Sequence, residues 1–157
     1  MRKLSMVLAM VIGAAASAPA FAQSASEAGF EADAGAWPVL RTAGFSEVDG
    51  AAGWHVAKTF PEELAALDGR TVRLFGYVMP LGPDGLGRHL MLTLGANDDP
   101  FHGDPLRVIE VTLEEAAPLS AGDRMLLEGR LELNRAPDTM QLFSLGNARP
   151  VTADAGV

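Results

Sequence analysis

The sequence predicts a mostly β protein: a single five-stranded barrel with one or two short helices. A cleaved signal peptide and a partly ordered N-terminal arm precede it. Three observations lead there. Side chains alternate with period two in several short segments between residues 70 and 145. Glycine, proline and aspartate punctuate those segments at Leu81-Gly82-Pro83-Asp84-Gly85, Ala121-Gly122-Asp123 and Ala136-Pro137-Asp138. Long amphipathic helices find no support in the periodicity. A small open sandwich is the competing architecture. At 157 residues, 48% hydrophobic and 20% charged, the chain has enough material for one globular domain.

The chain starts with Arg2 and Lys3, an apolar small-residue run from Leu4 to Ala18, and Ala20-Phe21-Ala22. Charged n-region, h-region and A-x-A site predict a secretory signal, residues 1–22, cut after Ala22. The run is shorter than the ~20 residues a membrane span needs. The mature chain is therefore expected in the periplasm, with no membrane span. Residues 23–58 read as a flexible leader and docking arm. Within it Trp37 and Trp54 are the side chains able to dock, and Pro38 points to an extended entry.

The domain proper is expected over residues 59–150. Thr59 to Leu67 is a short helix, with Pro61 near its first position and Glu62 and Glu63 where the dipole favours anions. Asp68-Gly69 ends it. Strand one follows, with Val72, Leu74, Gly76 and Val78 on one face and Arg73, Phe75, Tyr77 and Met79 on the other. Gly76 marks a bend or bulge. Strand two runs Arg88 to Leu94 and strand three Leu106 to Leu113. Glu114 to Leu119 reads as one helical turn, with Thr112 and Glu115 at capping-box spacing. Strand four, Arg124 to Asn134, sets Met125, Leu127, Gly129, Leu131 and Leu133 against Leu126, Glu128, Arg130 and Glu132. Strand five is expected over Thr139 to Leu145, and residues 151–157 form a disordered tail. Five short strands, a central glycine in strands one and four, and a helical turn between strands three and four make the barrel OB-fold-like.

Charge and composition narrow the chemistry. Without Arg2 and Lys3, 10 basic side chains face 20 acidic ones, a net charge of −10. Such a surface repels phosphate backbones, which excludes nucleic acid as a partner. The absence of cysteine removes disulfides, thiolate zinc sites and thiol nucleophiles. No G-x-S-x-G, H-E-x-x-H, Walker or dinucleotide fingerprint occurs, so the reading is non-enzymatic.

Leu67-Asp68-Gly69-Arg70-Thr71-Val72 followed by Gly76-Tyr77-Val78-Met79-Pro80-Leu81 resembles the signature of a family of small exported bacterial proteins classed as a domain of unknown function. The likeness spans roughly residues 37–150. It implies a periplasmic OB-like domain and an association with zinc-responsive transport, hence an envelope protein or transporter component as partner. Many members carry a C-x-F-C segment after the second strand. Here that place reads Asp99-Pro100-Phe101-His102.

The segment Asn97 to Asp104 is the candidate site. Asp99, His102 and Asp104, with His89 folding in from strand two, are the candidate metal ligands, and Zn2+ the candidate cofactor. Zinc calls for at least three protein ligands. The same Asn, Asp, Pro and Gly are also what tight turns are made of. Two readings of function follow: a binding or accessory module for divalent metal handling or transport, or an envelope-stress interaction module with no metal.

Overall fold

The computed structural model describes residues 35–82 and 86–151. Helical turn α1 (Trp37–Leu40) leads into a hairpin of β1 (Gly44–Gly50) and β2 (Gly53–Thr59). Helical turn α2 (Glu62–Ala65) then precedes β3 (Thr71–Pro80), β4 (Leu86–Thr93), a 3-10 turn (Pro105–Arg107), β5 (Val108–Pro118), β6 (Arg124–Leu133) and β7 (Phe143–Pro150). The five strands β3 to β7 form a closed barrel in the order β3-β4-β5-β7-β6. All its pairings are antiparallel except the parallel pair β5–β7. This is the mostly β, OB-like barrel with two short helices that the alternation predicts.

The alternating faces sort as expected. Val72, Leu74 and Val78 of β3 point into the barrel, with Leu90 and Leu92 of β4 and Ile109, Val111 and Leu113 of β5. Leu127 and Leu131 of β6 and Phe143 and Leu145 of β7 complete the core. Each buried aliphatic side chain contributes about 1.5–3 kcal/mol on leaving water. Gly76 stays in register with Met125, so β3 neither bulges nor shifts there. What requires glycine is proximity: a Cβ would lie 2.5 Å from the Thr93 carbonyl oxygen and 2.7 Å from Leu92 Cγ. The register shifts fall instead in the β4–β5, β5–β7 and β6–β7 pairings, with the extra residues on β5 and β7.

Several expectations are revised. Glu114 to Pro118 is strand, because β5 continues past Leu113 to pair Pro118 and Ala117 with Leu86 and Gly87 of β4. The last strand starts at Phe143 rather than Thr139 and takes in Asn147 to Pro150, through the pairings Arg149↔Glu128 and Pro150↔Leu127. Pro38 opens a helical turn rather than an extended entry. Trp37 docks, 1% exposed, with Nε1 donating 2.7 Å to the Phe75 carbonyl. Trp54 does not bury; it is 46% exposed. Within the docking arm, residues 44–59 form the fully paired β1–β2 hairpin, which the sequence reading does not anticipate. The signal peptide, residues 23–34, Pro83 to Gly85 and residues 152–157 lie outside the described residues. Among the described residues, no helix is long and apolar enough to cross a membrane.

Candidate functional site

The loop between β4 and β5 is built by its own carboxylates. Asp98 accepts the Gly95 amide at 2.6 Å and Arg107 Nε at 3.0 Å, joining the loop's two ends. Asp99 Oδ1 accepts the amides of Phe101 (2.8 Å) and His102 (3.0 Å), and Oδ2 lies 3.3 Å from His102 Nδ1. The Phe101 amide first, then that of His102, holds the Asp99 carboxyl below its ordinary range, since both bonds favour the charged form. Asp104 caps the 3-10 turn by accepting the Leu106 amide at 2.9 Å.

The four expected metal ligands therefore do not converge. Asp99 and His102 meet, whereas Asp104 faces its own turn. His89, exposed on β4, contacts Thr112 Oγ1 through Nδ1 at 3.4 Å. Among the described residues no three His, Asp or Glu side chains are grouped to hold an ion. The carboxylates serve the turn, as its composition also allows.

What the loop presents is a wall. Phe101, 64% exposed, and His102 border a cleft of ≈ 400 Å3. Met91 of β4, Val108 and Glu110 of β5, and Met140 to Leu142 ahead of β7 form its remaining sides. The β1–β2 hairpin contributes Glu47. Glu47 and Val56 are cross-strand partners, so they share a face; Val56 is buried, which turns Glu47 toward the barrel. Trp54 Nε1 donates to Glu47 Oε2 at 3.1 Å, placing a second exposed aromatic ring beside the cleft.

The hairpin is clamped where it meets the β6–β7 loop. The Val56 amide donates to the Pro137 carbonyl at 2.7 Å and Lys58 Nζ to the Gln141 carbonyl at 2.7 Å. Burial pulls the Lys58 ammonium below its ordinary range, opposed by Asp138. Gln141 Nε2 also donates 2.7 Å to Glu110 Oε2, and this bond separates the cleft from a polar one of ≈ 450 Å3 lined by Thr112, Glu132 and Ser144.

Sequence reasoning located the loop but not the cleft. Met91 and Met140 stand 49 positions apart, and only barrel closure brings their segments to one surface. No protein-family model, curated protein or solved structure matches the chain.

Proposed function

We propose that this chain is an exported, non-enzymatic binding module of the periplasm that serves divalent metal handling or transport, with the Phe101–Met91–Glu110 cleft as its ligand face. The cleft carries the reading: an apolar floor, a few placed polar groups, and a position on the second and third barrel strands, where OB barrels receive ligands. Its polar groups are engaged in bonds that shape the walls, Glu110 to Gln141, Glu47 to Trp54 and His102 to Asp99, rather than aligned as a nucleophile and base. The likeness of Leu67 to Leu81 to an exported family supports the compartment and the transporter or envelope partner.

A photo-crosslinking residue at Phe101 or Met140 tests the role in intact cells, with Arg124, exposed on β6, as the off-site control. Labelling of one envelope protein from 101 and 140, and not from 124, is the expected result. Equal labelling from all three positions, or none from any, removes the reading.

The interaction module without metal is favoured by a separate observation: Phe101, on the cleft wall, and Trp54, bonded to the lining residue Glu47, are both exposed. Under that reading the crosslink persists in protein stripped of metal.

A further inference from the structure

We infer that the cleft is a soft-cation site, holding Cu(I) or Ag(I) through the thioethers of Met91 and Met140 and the imidazole of His102. This goes beyond the function proposed above: it rests on the same cleft but not on its partner, and puts a monovalent soft cation where that reading has a divalent one. The three donors come from different elements, Met91 from β4, His102 from the β4–β5 loop and Met140 from the segment before β7, yet all line one concavity.

Thioether sulfur is a soft donor that selects monovalent copper over zinc, calcium or magnesium. Met is also unbranched, so its sulfur can move to meet an ion without shifting the backbone. A zinc site would instead call on thiolates, imidazoles and carboxylates, and such a trio does not assemble among the described residues.

The imidazole is prepared for this role. A carboxylate only accepts, so in the tautomer that bonds Asp99 Oδ2, 3.3 Å away, the proton sits on Nδ1 and the lone pair on Nε2. Carboxylate support of a histidine's far nitrogen is the usual arrangement around metal-binding imidazoles. Asp99 is itself held by the Phe101 and His102 amides, so the relay ends on backbone. Glu47 and Glu110 give the concavity a negative potential that draws a cation in. The Phe101 ring lines the same space, where its face can meet the ion.

Titration of the mature chain with Ag(I) in chloride-free buffer, and with Cu(I) under anaerobic competition, tests the site. One ion per chain is expected, with zinc binding at least tenfold weaker. Met91→Leu and Met140→Leu each lower affinity at least tenfold, because leucine keeps the volume and removes the sulfur. Met125→Leu, on β6 and outside the cleft, leaves it unchanged. Binding of undiminished affinity in the folded Met91→Leu/Met140→Leu double variant overturns the site. If that variant does not fold, X-ray absorption of the silver- or copper-loaded wild type decides: sulfur scatterers support the site, and a first shell of oxygen and nitrogen alone overturns it. Loss of ion binding with the Phe101 crosslink intact refutes the soft-cation site alone. Loss of the crosslink with ion binding intact refutes the partner role alone.

Discussion

The Asp68 carboxylate accepts a 2.7 Å bond from Arg135 Nη1, and its other oxygen accepts the Leu133 amide at 3.0 Å. These two bonds tie the α2–β3 turn to the far end of β6. Gly69, with φ +75°, donates its amide to the Leu131 carbonyl at 2.7 Å, and Leu131 donates back to Arg70 at 2.9 Å. Arg135 then lies 5.4 Å over the Phe60 ring, which meets Phe143 edge-on. The Leu-Asp-Gly-Arg run is thus a device for closing the barrel, remote in role from the cleft.

Asp68→Asn is expected to lower stability by about 1 kcal/mol near neutral pH, a charged hydrogen bond discounted for partial exposure. The Leu133 amide first, and Arg135 second, hold the Asp68 carboxyl below its ordinary range. A carboxyl with a folded pKa below its unfolded one stabilises above the unfolded value, and loses that share as pH falls through the folded value. The gap between wild type and variant should therefore close below about pH 4. Urea unfolding at several pH values measures it; a gap that widens in acid contradicts the assignment.

Gly76→Ala should cost about 2 kcal/mol, because its Cβ would press on the Thr93 backbone oxygen rather than on a movable side-chain tip. Gly146→Ala is the matched control, since a Cβ there meets nothing within 4 Å. It should be neutral or stabilise by up to about 1 kcal/mol. Equal denaturation midpoints for the two variants would show that β4 yields at Thr93.

Removing Trp37 should cost more than removing Trp54. Trp37→Ala empties a buried position and is expected to destabilise by about 3–5 kcal/mol. Trp37→Phe keeps most of the area but removes the hydrogen bond to the Phe75 carbonyl, at about 1 kcal/mol. Trp54→Ala, at a half-exposed position, should stay within about 1 kcal/mol. Thermal unfolding of the three variants ranks them directly.

The contrast between those tryptophans shows what sequence could and could not reveal. β3 and β6 were legible because one face of each is apolar and the other mixed, and a strand buried on one side must alternate. Phe45 to Val56 was not, because its apolar residues are sparse. Its one hairpin signal, Asp49-Gly50 ahead of Gly53, resembles loop composition. Glu114-Glu115-Ala116-Ala117 misled in the opposite sense: good helix formers were drawn into β5, whose end, Ala117 and Pro118, pairs with Gly87 and Leu86 of β4. At the site, the Asn97 to Asp104 turn was readable locally. The Met91–Met140–His102 concavity depends on strand order, which no local pattern encodes.

Export carries its own expectation. The exported product should begin at Gln23, and Ala22→Arg should leave the precursor uncut, since the processing site accepts only small side chains there. Intact mass of the exported fraction reads both. A wild-type product retaining Arg2 and Lys3 would refute the signal.

The Asp98–Arg107 bond sets the shape of the cleft wall, so its loss should be felt at the loop before it is felt in the barrel. Both side chains are partly buried, and the pair joins Asp98, in the loop after β4, to Arg107, the last residue before β5. A double-mutant cycle of Asp98→Ala and Arg107→Ala is expected to give a coupling of about 1 kcal/mol. Hydrogen exchange should quicken at Gly95 and Leu94, whose amides are held by Asp98 and by the Arg107 carbonyl. Leu92 and Val111, in the closed barrel, should keep their protection. Uniform loss of protection across the chain would mean that this loop is part of the folding unit rather than a wall fastened to it.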